Sequence, residues 1–153
     1  MKFEATAYLS KESIDKLTKK LKDYQKDLQD AKKYILEALA EYTQQRAKYH
    51  LKKSLLHPDK STGKLADSIN IKYFSSETAK VYTNLFYATY VEFGTGAVGA
   101  SSEYGSKMFG DIDYKKEFQF GQPAHRYMYN ATQDLKANYI KIAKKVLKER
   151  GLI

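Results

Sequence analysis

The strongest constraint on the fold is an apolar repeat that runs through the first third of the chain. From Ser10 to about Lys53, apolar residues recur at alternating steps of three and four, the period of one helix face. They are Ile14, Leu17, Leu21, Tyr24, Leu28, Ala31, Ile35, Ala38 and Tyr42. No glycine or proline interrupts the segment before Pro58, and Ser10 is a suitable N-cap. A helix is therefore predicted for residues 10 to 53.

The length of this helix raises a difficulty. Unbroken, it would reach about 66 Å at 1.5 Å per residue, which exceeds the diameter of a small domain. Polar residues dominate between Asp23 and Asp30, so we expect the helix to break there. Residues 31 to 53 would then pack on a sheet. The repeat is interpreted as a core-facing stripe, with a coiled coil as the alternative.

Two strands are predicted after a loop at residues 57 to 63. Alternation of apolar and polar residues marks Ser68 to Phe74 and Thr78 to Thr83, joined by the short link 75–77. Such a pair is typical of a β-hairpin.

Two short motifs follow. Residues 87–96 (YATYVEFGTG) crowd apolar surface ahead of glycines that permit a sharp turn, and a short helical turn ending at Gly94 is predicted there. Residues 121–131 (GQPAHRYMYNA) contain Pro123, which fits the first turn of a helix. A final helix is predicted from about Pro123 to Arg150.

The segment between the two motifs is rich in glycine but also in aromatic residues, unlike a disordered linker. A third strand at Tyr114 to Phe120 would fit its pattern. The predicted fold class is α+β: a small antiparallel β-sheet of three or four strands, with long N-terminal and C-terminal helices packed on one face. We expect one domain over residues 1–153. Its parts are a helical extension (1–27), a helix with a β-hairpin (28–95), a long Gly/aromatic loop (96–121) and a C-terminal helix (122–153).

Composition narrows the function classes. The chain has 27 basic and 18 acidic residues, a formal charge of +9, and no cysteine. Disulfides and thiolate metal sites are thereby excluded. Basic charge favours a polyanionic partner such as DNA, but the lysines alternate with acids as on a solvated helix face. No apolar run is long enough for a membrane span, and the N-terminus lacks the apolar core of a signal peptide.

No constellation of catalytic residues stands out, and we expect no enzyme activity, no cofactor and no metal. The three histidines, His50, His57 and His125, have no carboxylate at ligand spacing, and phosphate-loop and nucleophile-elbow motifs are missing. Glu92 is interpreted as a hydrogen-bond anchor for a turn, since no second acid or histidine is placed to assist it as a base.

Three stretches taken in order resemble a phage family. Residues 58–69 (PDKSTGKLADSI), the first motif and the second motif, with helices on both sides, are similar to tail-completion proteins. These are neck, or head–tail joining, proteins of long-tailed bacteriophages and prophages. The resemblance covers roughly residues 28 to 147. It departs from the family pattern at Arg126-Tyr127-Met128, where a Phe-Leu is common, and in the long segment between the motifs.

The resemblance implies a structural virion protein. It would form a homo-oligomeric ring of six subunits at the head-proximal end of the tail tube, contact the tail-tube protein and join the tail to the head-connector or head-closure protein. DNA would pass through the lumen without sequence-specific binding, and no membrane would be involved. Assembly would occur in the cytoplasm of the bacterial host. The predicted partner interface comprises Glu92, Phe93, Gly94, Thr95, Tyr104, Phe109, Gly121 and Pro123. A basic nucleic-acid-binding module is the alternative function.

Overall fold

A single helix dominates the architecture. The computed structural model describes residues 11–54, 62–100 and 121–153. Helix α1 spans Lys11–Ser54, 44 residues without interruption. The predicted break between Asp23 and Asp30 is wrong. Residues 23–30 contain neither glycine nor proline, so nothing there breaks the helix, and ion pairs on either side, Glu12–Lys16 and Lys33–Glu37, support its solvent face.

The C-terminal helix, which we call α5, spans Tyr127–Glu149 and runs antiparallel to α1. At one end Arg46 of α1 bonds Asp134, and at the other end Arg150 lies over the ring of Tyr34. The predicted start at Pro123 is wrong, because residues 121 to 126 are not helical. They are held instead by contacts with the first motif, described below.

Helix α5 ends at a glycine, Gly151, that follows the predicted helix limit at Arg150. The N–H of Gly151 donates to the carbonyl of Lys148, and the N–H of Leu152 donates to the carbonyl of Leu147. This pair of bonds is a Schellman motif, which uses the positive φ of 66° at Gly151. Leu152 is buried, as the motif's hydrophobic contact requires.

The β-hairpin is confirmed. Strands β1 (Asn70–Tyr73) and β2 (Ala79–Tyr82) pair antiparallel, with Ile71 opposite Val81. A short helix α2 (Lys64–Asp67), which the sequence analysis missed, leads into β1. The side-chain amide of Gln44 on α1 donates to the carbonyl of Ile69 at 2.6 Å, which fixes the hairpin on the long helix.

Two more short helices follow the hairpin, α3 (Ala88–Phe93) and α4 (Gly96–Ala100). The first confirms the helical turn predicted to end at Gly94. The core lies where α1, α2, α3 and the start of α5 meet. Its buried members are Ala47, Leu51, Leu65, Ala66, Ile69, Ala88, Tyr127 and Ala131.

The fold is α+β, with long helices and a small antiparallel sheet, as predicted. Within the described ranges the sheet has two strands rather than three or four. The third strand predicted at Tyr114 to Phe120 lies outside those ranges. Helix α1 contacts both α5 and the two strands. Helix α1 and the hairpin thus support α3 and residues 121–126, which precede α5.

Candidate interface site

The two sequence motifs bind each other. We call residues 87–95 and 121–130, which face one another, the clasp. The backbone N–H of Thr95 donates to the carbonyl of Gln122 at 2.9 Å, and the N–H of Gln122 donates to the hydroxyl of Thr95 at 3.2 Å. The side-chain amide of Gln122 also donates to the carbonyl of Tyr90. Backbone bonds from His125 to Val91 and from Arg126 to Glu92 extend the contact.

Glu92 is the central polar residue of the clasp. It is 6% exposed, and its two carboxylate oxygens accept the backbone N–H groups of Met128 at 2.9 Å and Tyr129 at 3.0 Å. These N–H groups belong to the first turn of α5, where no intrahelical acceptor exists. A negative charge at that end also interacts favourably with the helix dipole. Glu92 therefore caps α5 from a distant part of the chain.

Arg126 shows why the cap must come from elsewhere. This residue occupies the N-cap position with φ 54° and ψ 31°, and it makes no side-chain capping bond. It is the single described non-glycine residue with positive φ, a conformation that costs an L-residue roughly 1–2 kcal/mol. The bond from its N–H to the carbonyl of Glu92 helps to hold this conformation.

Two glycines let the clasp segments approach closely. A Cβ at Gly94 would lie 2.6 Å from the carbonyl oxygen of Gln122 and 2.8 Å from the nitrogen of Ala124. A Cβ at Gly121 would overlap the carbonyl oxygen of Thr95. Since the obstructing atoms are backbone, a small shift of a side chain would not make room. Glycine is thus required on both sides of the clasp.

A second polar cluster joins α5 to α1 beside the clasp. One carboxylate oxygen of Asp134 contacts Arg46 Nε and His50 Nε2, each at 2.6 Å. Burial acts to raise the pKa of Asp134, but the hydrogen bonds from His50 and Arg46 outweigh it and leave the pKa below its ordinary value. The cluster is interpreted as a structural ion pair, because it joins a side chain of α5 to two side chains of α1.

Two more clasp residues are held by burial. His125 Nδ1 lies 2.8 Å from the hydroxyl of Ser54, and desolvation lowers the pKa of His125. Tyr127 is 1% exposed, and burial raises the pKa of its phenol well above its usual range. The neutral forms of both side chains therefore predominate at neutral pH.

Large apolar side chains next to the clasp face solvent. Phe86 is 85% exposed and Tyr90 is 47% exposed. The Phe86 ring packs edge-on against Tyr87, with 5.5 Å between centroids. Exposed aromatic side chains of this size are characteristic of contact surfaces, because a ring buries much area on binding at a low cost in entropy.

The predicted interface residues fall into three groups. Glu92 and Gly94 are buried in the clasp, and Phe93 and Thr95 are half-buried there. Gly121 and Pro123 are exposed at its surface. Tyr104 and Phe109 lie outside the described residues. The structure brings the first six together through contacts within the chain, and their role toward a partner stays a prediction.

Sequence reasoning missed Phe86, Gln122 and Asp134. A signal existed for Phe86: Leu85, Phe86 and Tyr87 form an apolar run in which the side chains cannot all point inward. The pairing of the two motifs had no local signal, because it depends on how α3 and α5 meet in three dimensions.

The described residues contain no cluster of three or more potential metal-ligating side chains. In the same ranges, no helix combines the length and the apolar character needed to cross a membrane. Several described lysines are paired with acids, as in Lys32–Glu77 and Lys145–Glu149, in keeping with a solvated surface.

Comparison with protein-family models shows which family the chain resembles. The sequence model of the HK97 gp10-like family, described as "Bacteriophage HK97-gp10, putative tail-component", matches residues 15–94. The match therefore includes most of α1, the hairpin and α3, up to the first glycine of the clasp. No curated protein and no solved structure matches the chain significantly. Since the matched residues make up more than half of the 153, the chain belongs to the HK97 gp10-like family of bacteriophage tail components.

Proposed function

We propose that this protein is a tail-completion, or neck, component that forms a ring at the head-proximal end of the tail tube. In this position a ring of six subunits would end tube growth and join the tail to the head connector. DNA would pass through its lumen without sequence readout. The protein would be a structural part of the virion, assembled in the cytoplasm of the bacterial host, and not an enzyme. Family membership supports the tail location, and the order of the sequence motifs supports the neck.

One observation carries the proposal that the clasp region is the contact surface. Phe86, at 85% exposure, directly precedes the first segment of the clasp. The clasp is rigid because a buried carboxylate, paired backbone bonds and two close glycine contacts fix it. A rigid support reduces the entropy lost when a side chain is immobilised in an interface.

The contact surface would then include the outer side of the clasp. Phe86 and Tyr90 supply apolar area, and Gly121 and Pro123 are exposed elsewhere in the clasp. Glu92 and Gly94 act indirectly, since their buried contacts hold this surface in shape. Phe93, Thr95, Tyr104 and Phe109 complete the proposed interface.

The experiment is complementation of a phage or prophage that lacks this gene. Phe86→Ser should reduce the number of joined particles by roughly tenfold or more, since burying a phenylalanine ring stabilises a contact by about 1.5–3 kcal/mol. Electron microscopy would count heads, tails and joined particles, and antibody labelling would locate the protein on the tail.

Phe74→Ser is the matched control. Phe74 is 59% exposed and lies at the far end of β1, near the Lys32–Glu77 ion pair. This variant should assemble normally. Labelling along the tail tube or at the distal tip would refute the neck position. Normal joining with Phe86→Ser would refute the proposed contact surface while leaving the neck position intact.

A further inference from the structure

The two long helices differ greatly in length. Helix α1 has 44 residues and its antiparallel neighbour α5 has 23. The last turn of α5 lies beside Tyr34, and Leu152 lines a surface cleft with Asp27 and Asp30. We call residues 11–30 of α1 the arm. Its described side chains are all exposed or half-buried, and Ala31 is the first fully buried residue.

The arm carries an apolar stripe. Ile14 is 51% exposed, Leu21 49% and Leu28 41%, with the half-buried Leu17 on the same face. The spacing of seven between the first three is the heptad repeat of a coiled-coil seam. The same stripe continues through Ala31 into the part of α1 that packs on the body. The arm therefore presents a core-type surface beyond the end of α5.

We infer that this stripe pairs with the arm of a second copy of the chain in an antiparallel two-helix coiled coil. The heptad places Leu17 and Tyr24 at one set of seam positions and Ile14, Leu21 and Leu28 at the other; the next position of the first set, Ala31, is already buried within the chain. In the register that centres the pair between Lys22 and Asp23, Leu17 packs against Leu28 of the second copy. Leu21 packs against Tyr24 of the second copy.

Charge complementarity selects this partner and this direction. The heptad places Lys20 and Asp27 beside the seam on the same edge of the helix. In the antiparallel register Lys20 of each copy faces Asp27 of the other, which gives two symmetric ion pairs. On the opposite edge the uncharged Thr18 and Gln25 face each other, and Lys11 of each copy comes opposite Lys32 of the other, whose charge is already paired with Glu77. Charges beside the seam determine partner and orientation in coiled coils.

A parallel pair fits less well. It would align Lys20 with Gln25 and Asp27 with Lys32, but Lys32 already bonds Glu77 within the chain. It would also place both bodies at the same end, where α5 and the hairpin already pack on α1. The antiparallel pair places the bodies at opposite ends. It requires no tail or head protein, and so does not rest on the proposed function.

Sedimentation velocity of the full chain tests the inference. The wild type should dimerise between about 1 and 100 μM, the range expected of a small interface. Lys20→Asp and Asp27→Lys should each weaken dimerisation on the order of tenfold, because each replaces two ion pairs by two like-charge contacts. Mixed in equal amounts, the two variants should form a heterodimer of wild-type affinity, since the four charges are again complementary.

Two controls separate this pairing from other contacts. Lys19→Asp changes the same charge at a position away from the seam and should leave the dimer intact. Leu21→Asp should abolish the dimer without changing the unfolding midpoint of the body, because Leu21 is exposed and takes no part in the core cluster. The inference is overturned if the wild type remains a monomer throughout the range, if the single charge variants dimerise as the wild type does, or if mixing them restores nothing.

Discussion

The carboxylate of Glu92 lies 2.9 Å from the backbone nitrogen of Met128, and the bond between them spans 36 residues of sequence. A second bond from the same side chain reaches Tyr129 at 3.0 Å. Helix α3 thus supplies, through Glu92, the capping bonds that the N-cap residue of α5 does not make with its own side chain. Because α5 in turn packs along α1, Glu92 connects the clasp to the contact between the two long helices.

Replacing Glu92 should destabilise the whole fold. Glu92→Ala removes two charge-assisted hydrogen bonds from buried N–H groups, so the free energy of unfolding should fall by about 1.5–3 kcal/mol. The free energy of unfolding of Glu92→Gln should lie between those of the wild type and Glu92→Ala, because an amide offers one acceptor oxygen and turns its NH₂ group toward a backbone donor. Urea denaturation would measure both. Glu77→Gln, which makes the same chemical change at an exposed ion pair, should alter stability by less than about 0.5 kcal/mol. Equal effects at the two sites would contradict the capping role.

Gly94 should tolerate no side chain. Gly94→Ala places a Cβ against backbone atoms of Gln122 and Ala124 at a φ of 84°, so we expect a loss of roughly 2–5 kcal/mol from strain and overlap together. Gly151→Ala is the matched control, because φ there is 66° but nothing lies within 4 Å of the added Cβ. It should cost only the conformational strain, about 1–2 kcal/mol. Thermal unfolding of both variants would show whether the close backbone contact or the positive φ makes glycine necessary at position 94. Equal losses of stability in the two variants would argue against the close contact.

Asp134 should make stability depend on acid pH. Its hydrogen bonds to His50 and Arg46 hold the folded pKa below the ordinary value of 3.8. As the pH falls, the unfolded chain therefore binds a proton at this carboxylate before the folded chain does. The contribution of Asp134 to the free energy of unfolding is complete above the unfolded pKa and is lost as the pH falls through the folded pKa. Asp134→Asn should be less stable at neutral pH and lack this part of the acid loss. Urea midpoints measured from neutral pH down to pH 3 would test this, with Asp23→Asn on the exposed arm as control. Parallel curves for wild type and Asp134→Asn would exclude the role.

DNA binding should be weak and governed by salt. The basic residues that give the net charge of +9 are interspersed with acidic residues, so few phosphates can be contacted at once. Fluorescence anisotropy with a labelled duplex should show binding that disappears near physiological ionic strength. Nanomolar affinity persisting at about 0.2 M salt would instead support a nucleic-acid-binding module.

The sequence predicted those elements whose signal is local. The apolar repeat identified α1, strict alternation identified the hairpin, and the glycine after Phe93 marked the end of α3. It predicted a hydrogen-bonding role for Glu92, because no catalytic partner stood near it. In the structure Glu92 does accept hydrogen bonds, but the donors are backbone N–H groups of α5, far along the chain.

The failures have a physical cause in tertiary contact. Pro123 is well suited to a first helical turn, yet the hydrogen bonds of Gln122 with Thr95 and of His125 with Val91 hold that stretch in a non-helical conformation. Helix α5 therefore begins only at Tyr127, where Glu92 can cap it. Likewise, the expected break in α1 rested on the size of a compact domain, whereas the helix simply extends past its partner. Neither outcome is encoded in a short window of residues.

The bond between Thr95 and Gln122 has a consequence for how chains of this kind can vary. The two residues are held together by this bond, so the ends of the intervening segment, which begins with α4, stay close to each other. The entropy of closing such a segment grows only with the logarithm of its length, about 0.6 kcal/mol for each doubling. Residues could therefore be inserted or removed there at small cost to stability, and the specificity of assembly could diverge between phages while the supporting fold is left unaltered.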